Sequence, residues 1–259
     1  MVEAVNKKNR KNKTNYLYER IEKYSDKEGS SAFDPVNSIL IVKVLFKNMK
    51  RFNKVFQQPF DEGCFTLLQN TADYLVNVFR AVYAHVGTND ITLILVGNKK
   101  TPLDYAGRKQ KLVSSITSAA TNHFSLKLAE TRDIDEMLDK GVYPTFEVSI
   151  FSVPDKIEAS NVILWTEREN TKKCINAITN YLGITKNLEN TKYVDRIDVI
   201  INLEYNWNAV KDKFKYGTYI KRIKVEEDIE SSNRYSAMLQ TEPFTNSKIQ
   251  YRVKRIFDY

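Results

Sequence analysis

The stretch from Ile39 to Val96 leaves few choices of architecture. It opens on ILIVKVLF (Ile39–Phe46), an almost unbroken apolar run. Such a run predicts a central strand of a sheet. The period then changes. Cys64, Leu68, Ala72, Leu75 and Phe79 recur every three or four residues and mark one face of a helix over Asp61–Phe79. Two further apolar runs, Val82–His85 and Ile91–Val96, flank Gly87-Thr88-Asn89-Asp90. Glycine, asparagine and aspartate are turn formers, so this unit predicts a hairpin.

The rest of the chain extends that frame. Tyr16–Tyr24 predicts a short helix, and Ser25–Asn37, with Gly29 and Pro35, a loop. Asp104–Lys127 predicts a helix with Leu112, Ile116, Ala120 and Phe124 on one side. Thr145–Val153 predicts a strand stopped by Pro154, Ile157–Leu182 a helix, and Arg196–Leu203 (RIDVIINL) another strand. Glu204–Tyr259 reads as short strands and loops, aromatic and basic. The expected fold is α+β: a ferredoxin-like palm, an antiparallel sheet with helices packed on one face, plus a basic C-terminal extension. The expected divisions are a disordered basic arm over 1–15, the palm domain over 16–224 and the extension over 225–259.

Composition narrows the function. The chain has 259 residues and a net charge of +8, which favours an anionic partner such as RNA; a merely solvated basic surface is the other reading. Lysine and asparagine are abundant, while glycine (8) and proline (6) are scarce, a bias that suits an AT-rich genome such as a phage's. Cys64 and Cys174 fall at apolar helix positions and read as buried thiols of a reducing compartment. His85 and His123 have no cysteine or histidine at ligand spacing, so no zinc site is expected. No run approaches a membrane span and the N-terminus has no apolar signal core, so the cytoplasm is the expected location.

The chemistry of the frame lies where the strands end. Palm-type nucleotidyl transferases place two or three acids at the ends of two such strands, to hold a metal pair against a triphosphate. Here the first strand delivers Leu45 and Phe46, and the second opens on Asn89 and Asp90. Four blocks of residues, in order, resemble the tRNA-His guanylyltransferase family and its bacterial tRNA-repair relatives. They are Pro59-Phe60-Asp61-Glu62 with Thr71, Tyr74-Leu75 and Asn89-Asp90-Ile91-Thr92-Leu93; Tyr105, Lys111, Ser114, Ser118, Thr121 and Phe124; Phe146, Phe151, Pro154, Trp165, Glu167, Glu169, Thr171, Lys172 and Ile175; and Asn206-Trp207-Asn208 with Lys215 and Gly217. The resemblance covers about Tyr16 to Lys224.

That resemblance implies a tetrameric, palm-based enzyme that extends the 5′ end of tRNA. It activates the RNA 5′ phosphate with ATP or GTP, lets a nucleotide 3′ hydroxyl attack, and uses two magnesium ions. Carried over position by position, the departures cluster at the chemistry. The first metal aspartate falls on Leu45 and the neighbouring glycine on Phe46, while the basic residue is kept as Lys47. The second metal aspartate falls on Asn89, the glutamate after it on Asp90 and the serine before it on Thr88. The arginine after the tryptophan falls on Thr166, and a later asparagine on Lys173.

The leading expectation is therefore a catalytically degenerate relative that keeps the palm and acts through RNA, nucleotide or protein binding, with no cofactor. Lys47, Thr88, Lys111 and Ser114 are the candidate nucleotide-phosphate contacts. Lys50, Arg51 and Lys54, interleaved with Phe52 and Phe56, are the candidate RNA contacts. One alternative is an active 5′-end nucleotidyltransferase using magnesium and GTP or ATP, with Asp90 and Glu147 as metal ligands. Another is a structural subunit of a larger, phage-type assembly. Asp90 also reads as a plain turn residue, and Glu147 as a solvent-facing strand residue.

Overall fold

Among the described residues, six strands form one antiparallel sheet. The computed structural model describes residues 17–24, 31–47, 49–52, 56–132, 134–188, 191–224, 235–245 and 247–258. The central strand β1 (Ile39–Phe46) pairs with β3 (Asp90–Val96) on one side and β4 (Phe146–Val153) on the other. The hairpin partner β2 (Tyr83–Val86) joins β3 to β5 (Thr218–Lys224), and β6 (Tyr235–Gln240) closes the far edge.

Strand periodicity divides the core. Leu40, Val42, Val44 and Phe46 face one way, into a cluster with α1 (Glu62–Val78) and α2 (Lys109–Ala129). Asp61 starts α1 as its N-cap, accepting the Cys64 N–H at 2.7 Å. Ile41 faces the other way with Ile94, Tyr83 and Phe151. There it meets α3 (Lys156–Tyr181) through Ala159, Val162 and Ile163. The helices therefore cover both faces of the sheet rather than the one face expected, because the continuous apolar run of β1 needs cover on each side. Asp155 caps α3 by accepting the Glu158 N–H at 2.8 Å. The helix then runs 26 residues, well past the sheet end marked by the β2–β3 turn.

Two segments depart from the sequence expectation. RIDVIINL is not a strand but lies in α4 (Tyr193–Asn202). Tyr193, Ile197 and Ile200 pack on the core at helical spacing. The buried Arg196 anchors the helix by donating to Leu188 O (2.7 Å), Thr191 O (3.1 Å) and Asn176 Oδ1 (3.0 Å). The final IQYRVKRIF is also helical, as α5 (Ile249–Phe257), with Arg252, Arg255, Ile256 and Phe257 buried. The segment expected as an appended extension thus supplies both a strand of the main sheet and a helix packed on α3.

That C-terminal segment is held by one buried carboxylate. Glu167, on α3, accepts hydrogen bonds from the Tyr219 hydroxyl, the Thr245 hydroxyl and the Phe244 N–H, the last at 2.5 Å. Above them the Arg255 guanidinium lies 4.4 Å from the Phe244 ring centre and 4.7 Å from that of Tyr219.

Candidate functional site

The register of three strands sets the geometry of the site. Leu45 is paired with Asp90 on β3 and with Glu147 on β4. The three side chains therefore form one row on the α3 face, with leucine in the middle. Two strand spacings separate the carboxylate-bearing residues, about 10 Å between backbones. Phe46 points to the opposite face, into a ring cluster with Phe52 and Phe124 at 4.6 and 4.9 Å. Its N–H donates to Asn89 O at 2.9 Å, which ties the end of β1 to the hairpin turn.

Each carboxylate already has a lysine. Lys173, reaching back from α3, donates from Nζ to Asp90 Oδ1 at 2.8 Å. Lys47 lies 2.5 Å from Glu147, and both of those side chains are well exposed. Gly87 permits the first pairing: a Cβ there would sit 2.5 Å from Asp90 Oδ1 and 2.8 Å from Asn170 Oδ1. Asn170 fixes the turn against α3, accepting the Thr88 N–H at 2.8 Å and donating to Phe214 O at 3.0 Å.

One row deeper on the same face is Lys43, flanked by Thr92 and Ser149. Its Nζ lies 3.7 Å from the ring centre of Trp165. Burial pushes its ammonium down from 10.5 to about 8, against the attraction of Asp90. His85, in the same row, is fully buried; it bonds Tyr216 O through Nε2 at 2.8 Å, and burial lowers its pKa.

Beside the turn is a cavity of about 280 Å³. Phe52, Phe56, Phe60, Phe65 and Phe214 give it apolar walls, and Phe60 stacks on Phe214 at 4.7 Å. Its polar lining comes from Thr88, Asn89, Lys173, Asn176 and Asn180, with Gln57 and the carboxylate of Asp61, which caps α1 and accepts the Cys64 N–H, at the far side. The buried Oδ1 of Asn89 has no hydrogen-bond partner among the described residues. Aromatic walls with a few convergent amides and one ammonium suit a flat heterocycle that carries an anionic tail.

The candidate residues from the sequence separate into groups. Thr88, Asn89 and Asp90, on the turn, and the pair Lys47–Glu147 lie at the same sheet end, with Leu45 between the two groups. Lys111 and Ser114 do not join them. They lie exposed near the start of α2, Ser114 bonding Lys111 O at 3.1 Å, whereas it is Phe124, thirteen residues on, that reaches Phe46. That stretch of helix spans about 20 Å. Arg51 is exposed and contacts Gly141 O at 3.5 Å. Lys50 lies in the short helical turn Met49–Phe52, and Lys54 falls outside the described residues. Phe52 and Phe56 are buried, so they build the cavity wall rather than an open stacking surface. Among the described residues, no three histidine, cysteine, aspartate or glutamate side chains are grouped to hold a metal. No described helix is long and apolar enough to cross a membrane.

Comparison with known proteins agrees with this architecture. A bacterial tRNA(His) guanylyltransferase (Thg1)-like protein in complex with ATP superposes with a TM-score of 0.70 at 20% identity, covering 92% of this chain and 98% of its own. The bacterial Thg1-like protein in complex with GTP gives 0.67 at 20% identity, covering 94% and 100%. The tRNA(His) guanylyltransferase of Saccharomyces cerevisiae gives 0.62 at 17% identity, covering 75% and 90%. At these identities the likeness is one of fold. A search of curated proteins returns no match. The sequence profile described as Thg1, tRNAHis guanylyltransferase, matches residues 18–154. That match takes in β1, the β2–β3 turn and β4, the strand ends of the site, and more than half of the chain, which therefore belongs to the tRNAHis guanylyltransferase (Thg1) family.

Proposed function

We propose that this chain is a Thg1-family protein that has kept the palm and a nucleotide pocket and has lost metal-dependent 5′ extension. It acts by binding nucleotide and RNA. The observation that carries this reading is the row Glu147–Leu45–Asp90. Magnesium is held by hard oxygen ligands, usually one or two carboxylates together with substrate phosphates. Leu45 offers no side-chain oxygen, Asn89 offers a neutral one, and each carboxylate in the row faces a lysine. The residues present do not fit a metal pair. Replacing two formal charges at such a centre costs several kcal/mol of cation affinity and of transition-state stabilisation. The separation of Asp90 from Glu147 by a whole strand also counts against a rearranged centre built from those two residues.

Nucleotide binding is supported by the aromatic and amide lining of the cavity and by the unpartnered Asn89 Oδ1 within its wall. It is supported further by the two bacterial Thg1-like neighbours, which are complexes with ATP and with GTP. RNA binding is supported by the net charge of +8 and by the tRNA named for the family. Self-association and a cytoplasmic location follow the family expectation. The test is a pair of assays on one preparation. Labelled GTP, 5′-phosphorylated tRNA and magnesium should yield no extended product, while the same tRNA should be retained on filters with an affinity that falls as salt rises. Magnesium-dependent 5′ addition that disappears in Asp90→Ala would overturn the reading.

A further inference from the structure

We propose that Lys173 is a built-in cation that replaces the divalent metal at the sheet end, so that nucleotide phosphate is bound here without metal. The inference rests on the reading that the cavity beside the turn takes a nucleotide. Lys173 Nζ is 2.8 Å from Asp90 Oδ1, and the same residue lines the cavity next to Thr88 and Asn89. Its ammonium therefore stands between the carboxylate at the start of β3 and the space a phosphate would enter. An ammonium carries three donors. Asp90 is its hydrogen-bond acceptor among the described residues, which leaves donors for phosphate oxygens.

The surrounding charge points the same way. Asp90 contributes −1 and Lys173 +1, so the pair is neutral with no metal bound, and farther out Lys43 (+1) is set against Glu169 (−1). Asp90 is only 15% exposed and Gly87 presses against its carboxylate, so the pair is held in place rather than splayed into solvent. A divalent cation arriving here would meet an ammonium already paired with the carboxylate, a leucine and a neutral amide. A phosphate would meet an ammonium already oriented by its carboxylate.

The experiment measures binding of a fluorescent GTP analogue to the full chain, in EDTA and in excess magnesium. Equal affinity in the two buffers is expected. Lys173→Gln should weaken binding in EDTA by roughly tenfold or more, the loss of one charge-assisted contact. Lys173→Arg keeps the charge and should hold most of the affinity; thermal melts of both variants separate lost binding from lost folding. A second readout needs no nucleotide: manganese, followed by its own paramagnetic spectrum, should stay unbound by the native chain and by Leu45→Asp/Asn89→Asp. It should bind once Lys173→Asn is added to that pair. Analogue binding that requires magnesium, or a folded Lys173→Gln that binds as tightly as native, would overturn the inference while leaving the nucleotide pocket intact. No binding in either buffer would overturn the pocket itself.

Discussion

Glu167→Ala should release the C-terminal segment from the sheet. The carboxylate accepts from three donors, the hydroxyls of Tyr219 and Thr245 and the N–H of Phe244. Tyr219 and Phe244 are fully buried, so truncation strands two donors that water does not reach; Thr245 is exposed and can turn to solvent. A stranded buried donor costs about 1–3 kcal/mol, and breaking a buried charged network typically costs about 3–5 kcal/mol. Relief of the carboxylate's own desolvation offsets part of this, so about 3–4 kcal/mol is the expected net loss. Urea unfolding measures it as a lower midpoint. Limited trypsin digestion locates it, because Lys248, Lys254 and Arg255 all lie on or beside α5. In the native chain that helix should resist cleavage, and in Glu167→Ala it should be cut first. Tyr219→Phe removes one donor and leaves the acceptor satisfied by the others, so it should cost only about 1 kcal/mol. A Glu167→Ala chain within about 1 kcal/mol of native, with α5 still resistant to trypsin, would refute the clamp.

Lys43→Met should stabilise the fold. The drop from 10.5 to about 8 corresponds to about 3 kcal/mol of charge burial, against about 1–2 kcal/mol for the lost contact with Trp165. The folded pKa lies below the unfolded one, so the native chain carries the full penalty below about pH 8 and sheds it as pH rises towards 10.5. The advantage of Lys43→Met in chemical denaturation should therefore shrink across that window, and a constant gap would contradict the assignment. Cys64 and Cys174 are buried, with both thiols pushed up to about 12 by burial. Neither should react with a thiol-specific dye in the native chain at mildly alkaline pH, and both should react after unfolding. Arg196→Met strips the donors from Leu188 O and Thr191 O and should cost about 2–4 kcal/mol, with faster amide exchange along α4; unchanged exchange would show that the guanidinium does not hold the helix.

How much of this was legible in the chain follows from the range of each interaction. β1, α1 and the β2–β3 hairpin were readable because their signals are local: an apolar run, a helical period with Asp61 as cap, and a glycine-bearing turn. RIDVIINL misled because alternation and helical spacing coincide over eight residues. Its helix depends on Arg196 reaching carbonyls on a neighbouring turn, a contact that no period records. The C-terminal helix was hidden in the same way, since Arg255 is buried under aromatic rings and against Gln240, and Arg252 is buried against Asn161 on α3, rather than exposed.

The site divides along the same line. The row Glu147–Leu45–Asp90 needs only strand register, so the neutral residues at Leu45 and Asn89 were visible from the sequence resemblance alone. Lys173 meets Asp90 across 83 residues, and only the course of α3 past the turn brings them together. One local sign did point to altered electrostatics: a lysine at position 43, inside the most apolar strand of the chain. A charge placed there is destabilising, and its neighbourhood explains its presence better than packing does. On the proposed reading, Lys43 and Lys173 stand where a metal-binding palm would recruit cations from solution. The neutral side chains at Leu45 and Asn89 and the two half-buried lysines are then two halves of one change, from a sheet end that gathers cations to one that carries its own.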